Sequence, residues 1–139
     1  MITRLLIKKI EGEKKVFNVN ATSVKPDLRI TGLKRIKDES SDYVVANFMH
    51  NVVYEPDIGY MIISGVLNYT DSNMDEKVSG EGENVKLKPD AMREVSNVAL
   101  RECLVKGISL SREVGLPLPM QFPTVNVNEE KLKEAMVDE

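Results

Sequence analysis

Residues 114–123 read Val-Gly-Leu-Pro-Leu-Pro-Met-Gln-Phe-Pro and follow a long amphipathic run that begins at Pro89. Pro89 suits the first helical position, where a backbone N–H is not needed, and Gly115 suits the left-handed residue that ends a helix. Pro117, Pro119 and Pro123 cannot resume the helix and favour an extended path. The sequence therefore predicts a long helix over residues 89–114 that leads into a stiff, apolar, extended segment.

The first seventy residues carry strand patterns. Residues 5–10 predict a short first strand of mixed facing, and residues 28–37 alternate apolar and polar side chains as a half-buried strand does. Between them lies a predicted long connection over residues 11–26. Residues 43–54 and 60–69 flank the turn Pro56-Asp57-Ile58-Gly59, in which Gly59 is expected to take the positive φ, and predict an antiparallel hairpin.

Both faces of this predicted hairpin carry apolar residues. A sheet that is covered on one side only would alternate more cleanly. Either both faces are covered, or one apolar face is left for a partner. Residues 71–88 are charged and aperiodic, which predicts a mobile loop, and residues 128–139 predict a short terminal helix or tail. The whole chain, 1–139, is expected to form one domain.

Composition restricts the class of protein. The chain has 139 residues, 42% of them hydrophobic, and a net charge of −3, which does not favour nucleic-acid binding. No apolar run is long enough for a membrane span, and the first residues do not resemble a signal peptide. The single Cys103 fits a reducing compartment, so a cytoplasmic protein is expected.

The chain is poor in catalytic side chains. His50 is the only histidine and lies on the apolar-rich face of a predicted strand, where a packed histidine is expected. Cys103 lies inside the predicted helix, where a buried thiol is expected. One His and one Cys do not make a zinc site, and Gly80-Glu81-Gly82 lacks the rest of a phosphate-binding loop. We therefore expect no catalytic residues, no metal, no cofactor and no enzymatic activity.

The order of the elements, together with Tyr54-Glu55-Pro56-Asp57-Ile58-Gly59 and the block over residues 104–127, resembles the SecB-like family, the fold of a bacterial export chaperone. Among its members the chain looks most similar to uncharacterised archaeal-type relatives. The resemblance implies an α+β fold, in which one long helix packs on a four-stranded antiparallel sheet. It also implies homo-oligomers, dimers or tetramers, that hold unfolded polypeptides in an apolar groove without ATP.

The resemblance also implies which regions line the groove. Carried onto this chain, the peptide-binding residues come from the connection, the hairpin and the segment after the helix: Val16, Phe17, Val19, Tyr43, Val45, Met49, Leu118, Met120 and Phe122. SecB itself is strongly acidic and docks the export motor on an acidic sheet face. With a net charge of only −3, this chain does not predict motor docking. Its seven methionines suit an adaptable apolar surface.

Other functions fit the same pattern. The protein could serve one dedicated partner, or its apolar face could be used for self-association. A small-ligand carrier, with the helix closing over the sheet, is the remaining alternative.

Overall fold

The structure, a computed structural model, describes residues 1–17 and 21–119. Its elements are β1 (Ile2–Lys14), β2 (Ser23–Lys37), β3 (Asp42–Glu55), β4 (Gly59–Tyr69), α1 (Met74–Lys77), β5 (Val78–Ser79), β6 (Lys86–Leu87) and α2 (Pro89–Val114). The predicted class, an antiparallel four-stranded sheet followed by one long helix, is confirmed. The predictions for Val19, Met120, Phe122 and the terminal helix over residues 128–139 lie outside the described residues.

The sheet has the strand order β1-β4-β3-β2, and every neighbouring pair is antiparallel. Consecutive hairpins join β2, β3 and β4, whereas the connection from β1 to β2 must pass two strands at one end of the sheet. Its two ends are attached to the β3–β4 turn: the N–H of Lys15 donates to the carbonyl of Ile58 at 2.7 Å, and that of Thr22 to Glu55 at 2.9 Å. This connection is shorter than predicted, because β1 continues through Lys14 and β2 begins at Ser23.

The β3–β4 hairpin is confirmed, although its turn differs from the prediction. The bond between Glu55 and Pro56 is cis, and Asp57, not Gly59, takes the positive φ of 50°. Gly59 is required for a different reason. A Cβ at this position would lie 2.4 Å from the carbonyl oxygen of Glu13 on the neighbouring strand.

Both edge strands contain a bulge at the same level of the sheet. In β1 the register shifts between Ile7 and Lys9, and in β2 it shifts between Ile30 and Gly32. An extra residue reverses which side chains point to which face. This explains the mixed facing of the first strand. It also corrects the pattern predicted for β2: Leu28 and Ile30 face the helix, but Ile36 pairs with Tyr43 on the opposite face.

The bulge in β2 also buries Arg35, which the simple alternation places in solvent. Its guanidinium donates two hydrogen bonds to Asp42, at 2.9 and 2.8 Å, one to the carbonyl of Gly80 and one to Asp75. The backbone N–H of Arg35 donates to Gly82. One buried side chain therefore ties β2 to the segment 71–88.

That segment, predicted as an aperiodic loop, has regular structure. It contains α1 and the β5–β6 pair, and it inserts Met74, Val78 and Val85 into the main core. Composition did not predict this order, because the segment is mostly polar and is held by only three buried side chains and two ion pairs, Arg35–Asp75 and Lys77–Asp90. Its mobility stays a prediction.

The predicted helix is confirmed at both ends. Pro89 occupies the first turn, and Gly115 takes a φ of 72° and donates its N–H to the carbonyl of Ser111. The buried stripe recurs every fourth residue and consists of Ala91, Val95, Ala99, Cys103, Gly107 and Ser111. Because these side chains are small, α2 can pack close to the sheet, mainly over β4 and β1.

Candidate peptide-binding surface

The four long strands present one face to α2 and one face away from it. Cross-strand partners share a face, so the register assigns each residue. The even residues of β3 and the odd residues of β4, such as Val44, Phe48, Ile63 and Leu67, are buried against the helix. We call the other side the open face. It can be described as five rows, each a set of partners across β1, β4, β3 and β2: Arg4-Asn68-Val45-Lys34, Leu6-Val66-Asn47-Gly32, Lys9-Ser64-Met49-Arg29, Glu11-Ile62-Asn51-Asp27 and Glu13-Tyr60-Val53-Lys25.

Apolar and polar side chains alternate across the middle of the open face as well as along it. Four successive pairs of β3 and β4 each join an apolar to a polar residue: Val45–Asn68, Asn47–Val66, Met49–Ser64 and Asn51–Ile62. Apolar residues therefore meet on diagonals, where side chains about 7–8 Å apart remain within reach of one another. We call this line of side chains the apolar path; it comprises Leu6, Val45, Val66, Met49, Ile62 and Val53.

The apolar path is accessible. Leu6 is 47% exposed and Val53 is 44% exposed, and the residues between them are half-buried by their neighbours in the same sheet. On the helix-facing side, the large side chains of β3 and β4 are fully buried, whereas those of the edge strand β1 are half-buried or, at Ile10, 49% exposed. Two predicted residues, Val45 and Met49, lie on the path, and Tyr43 continues the open face beyond the first row.

Sequence reasoning missed four residues of the path, namely Leu6 of β1, Val53 of β3, and Ile62 and Val66 of β4. The sequence did contain a sign of the two β4 residues. A strand that is covered on one face only alternates apolar and polar residues, but Ile62 and Val66 are apolar at positions where this alternation expects polar residues. Their position beside Met49 could not be predicted, because it depends on the pairing register.

The connection after β1 exposes two further predicted residues. Phe17 is 79% exposed and Val16 is 37% exposed. The neighbouring Lys15 places its ammonium 2.8 Å from a carboxylate oxygen of Asp57 and 5.8 Å from the ring centroid of Tyr60, a residue of the open face. The described part of the connection therefore starts beside the last row.

The segment after α2 lies on the other side of the sheet. Leu116 packs with Tyr54 and Met61, the Tyr54 hydroxyl donates to the carbonyl of Pro117 at 2.7 Å, and Pro119 is buried near Gly107. Leu118 belongs to this helix-side segment. The structure therefore does not bring Leu118 together with Tyr43, Val45 and Met49, because the sheet lies between them. A role of either set in peptide binding stays a prediction.

The ionisable groups of the open face are mostly paired along the rims. Lys9 lies 3.3 Å from Glu11, Arg29 2.7 Å from Asp27, and Lys25 3.1 Å from Glu55. The hydrogen bond from Lys9 and a second one from Tyr60 hold the pKa of Glu11 below its ordinary value. These pairs are exposed, and such pairs contribute little to stability.

The two groups considered for chemistry lie on the helix side. Cys103 is fully buried, and burial raises the pKa of its thiol to about 11, so it remains protonated at neutral pH. His50 is 1% exposed, and burial lowers its pKa. Within residues 1–17 and 21–119, no group hydrogen-bonds either of its ring nitrogens. In the same residues, no cluster of three or more His, Cys, Asp or Glu side chains could hold a metal ion.

The described helices also lack any stretch that combines the length and the apolar character needed to cross a membrane.

Solved structures provide the comparison that decides the fold. A SecB-like chaperone of Mycobacterium tuberculosis, solved in complex with a ChAD peptide from an antitoxin, superposes with a TM-score of 0.54 at 10% sequence identity. The match covers 91% of this chain and 89% of that one. The fold is SecB-like.

A second solved structure, a protein of unknown function from Streptococcus agalactiae, gives a TM-score of 0.43 at 7% identity over 89% of this chain and 96% of that one. Comparison with protein-family models and with curated protein sequences finds no match. At 10% identity the similarity to the Mycobacterium tuberculosis chaperone concerns the fold alone.

Proposed function

We propose that this SecB-like protein binds unfolded or partly folded polypeptides, without ATP, through the apolar path of the open face. One observation carries the proposal: the apolar path runs through all five rows of a sheet whose opposite face is already packed by α2. The Mycobacterium tuberculosis neighbour was solved with a bound peptide. This neighbour supports polypeptide as the class of ligand.

The composition of the path suits segments of varied sequence. Burial of apolar client side chains yields about 25 cal/mol per Å² without requiring a particular sequence. Met49 can adapt its shape to different side chains because it is unbranched and polarizable. Asn47, Asn51 and Ser64 lie between the apolar residues and offer hydrogen bonds to a client backbone. We propose a binding role of this kind rather than a catalytic one.

The first test is light scattering from a chemically unfolded protein that is diluted into buffer with or without this chain. We expect suppression of aggregation near a stoichiometric ratio. Met49→Asp should weaken suppression, because it places a carboxylate in the middle of the apolar path. Val105→Asp is the matched control: Val105 is 54% exposed on α2, away from the open face.

Circular dichroism must show that both variants are folded. A folded wild-type sample that does not suppress scattering would contradict general polypeptide holding. If Met49→Asp and Val105→Asp weaken the suppression of aggregation equally, the assignment of client binding to the open face is contradicted.

Self-association is the second candidate, because Leu6 and Val53 leave apolar surface that another copy could cover. Sedimentation analysis separates the two functions. If the open face joins copies, Met49→Asp will lower the oligomeric state. If it binds clients, the oligomeric state will be the same in the variant and the wild type.

A further inference from the structure

We propose that one half of the open face selects apolar polypeptide segments that are flanked by Asp or Glu. The proposal rests on the proposed function and specifies the ligand of the same surface. The half concerned comprises the first three rows, and we call it the cationic half. Its four corners are Arg4, Lys34, Lys9 and Arg29.

The corners surround part of the apolar path. Arg4 and Lys34 end the first row, and Lys9 and Arg29 end the third. Corners of one row are three strand spacings apart, about 14 Å, and the two rows are about 13 Å apart along the strands. Inside this rectangle lie the apolar side chains of Leu6, Val45, Val66 and Met49. A segment with a few apolar residues fits the centre, and its flanks then meet the corners.

The charge of the cationic half is opposite to that of the chain. None of the twelve residues in its three rows is acidic, whereas the whole chain has a net charge of −3. Lys9 and Arg29 are paired with Glu11 and Asp27 of the fourth row. Arg4 and Lys34 are exposed and make no ion pair with any residue in the described ranges. Two cations at the first row are thus available to an acidic ligand.

The last two rows differ in charge. Three of their four rim positions are acidic, namely Glu11, Asp27 and Glu13, and the fourth is Lys25. The open face therefore changes from cationic to acidic along the strands. An acidic flank is attracted at the first row and repelled at the last, which fixes where a segment is placed. Charges at the rim of an interface act in this way, through specificity and association rate.

The test uses three fluorescent peptides that share one apolar core and carry Glu, Ser or Lys flanks, with fluorescence anisotropy as the readout. At about 50 mM salt we expect the Glu-flanked peptide to bind about fivefold more tightly than the Lys-flanked one. At about 500 mM salt the ratio should approach one, because exposed charges are screened. The double variant Arg4→Glu, Lys34→Glu should reverse the order.

Arg101→Glu with Lys106→Glu is the matched control. It makes the same change in net charge with exposed residues of α2, and it should keep the preference for Glu flanks. Equal binding of the three peptides would overturn the selection while leaving the proposed function in place. Failure of all three to bind would contradict the proposed function. Reversal in the control as well would overturn the assignment to the cationic half, since net charge alone would then explain it.

Discussion

Two buried polar side chains of the sheet, Arg35 and His50, differ in their hydrogen bonding. Arg35 has a partner for each donor group of its guanidinium, and the ion pair holds the pKa of Asp42 below its ordinary value. His50 is buried between Leu28 and Ile63 without a hydrogen bond from the described residues. A buried charge requires a partner, so Arg35 is stable as a cation while His50 must stay neutral.

We predict that His50 makes the fold sensitive to mild acid. Its pKa is lowered in the folded state, so below the ordinary value of about 6.5 the unfolded state binds more protons than the folded state. The free energy of unfolding should therefore fall as pH is lowered from 7 to 5, by at most about 1.4 kcal/mol per pH unit. His50→Leu should remove this dependence. Urea unfolding at pH 7, 6 and 5 measures it.

His50 is the only histidine, so no other imidazole contributes in this range. The same pH dependence in wild type and His50→Leu would contradict the prediction, because it would show that His50 binds the same number of protons in the folded and unfolded states.

At the scale of elements, the bulge in β2 and the segment 71–88 depend on each other. The extra residue between Ile30 and Gly32 turns Arg35 toward the helix side, where it meets Asp42, Asp75 and Gly80. Without the bulge, Lys34 and Ile36 would point to the helix side instead. A local irregularity in an edge strand thus creates the anchor for an insertion that begins more than thirty residues later in the chain.

We predict that Arg35→Met releases the segment 71–88. The substitution keeps a long, unbranched side chain but removes the guanidinium. Asp42 and the carbonyl of Gly80 then lose the hydrogen bonds that Arg35 donates to them. We expect a loss of about 2 kcal/mol in the free energy of unfolding. A Glu-specific protease should also cut faster at Glu76, Glu81 or Glu83.

Lys34→Met is the control, because it removes an adjacent, exposed cation. Cleavage at the same rate in both variants would contradict the anchoring role of Arg35.

At the scale of the whole molecule, the sheet separates a structural face from an accessible one. The helix-facing side supplies the core under α2, and the open face contributes little to that core. Of two neighbouring residues in one strand, one therefore packs in the core and the other lies on the open face.

We predict that Val44→Asp and Val45→Asp have very different effects on stability. Val44 is 0% exposed in the main core, so an unpaired carboxylate there should cost more than about 4 kcal/mol and prevent cooperative folding. Val45 lies on the open face, where the same change should cost about 1 kcal/mol. Thermal unfolding, monitored by circular dichroism, compares the stabilities of the two variants. Similar losses would mean that the open face is covered in solution.

The sequence by itself determined the elements that rest on local chemistry. Pro89 and Gly115 predicted the limits of α2 because helix ends depend on single residues, and alternation around Pro56 predicted the β3–β4 hairpin. It also indicated that both hairpin faces are apolar. The tertiary structure decided what depends on register and on distant contacts: the two bulges, the burial of Arg35, the order of residues 71–88, and the placement of Leu118 on the side opposite Met49. A bulge, or an ion pair between distant segments, does not produce a periodic pattern in the sequence. The rows of the open face therefore cannot be predicted until the pairing register of the four strands is known.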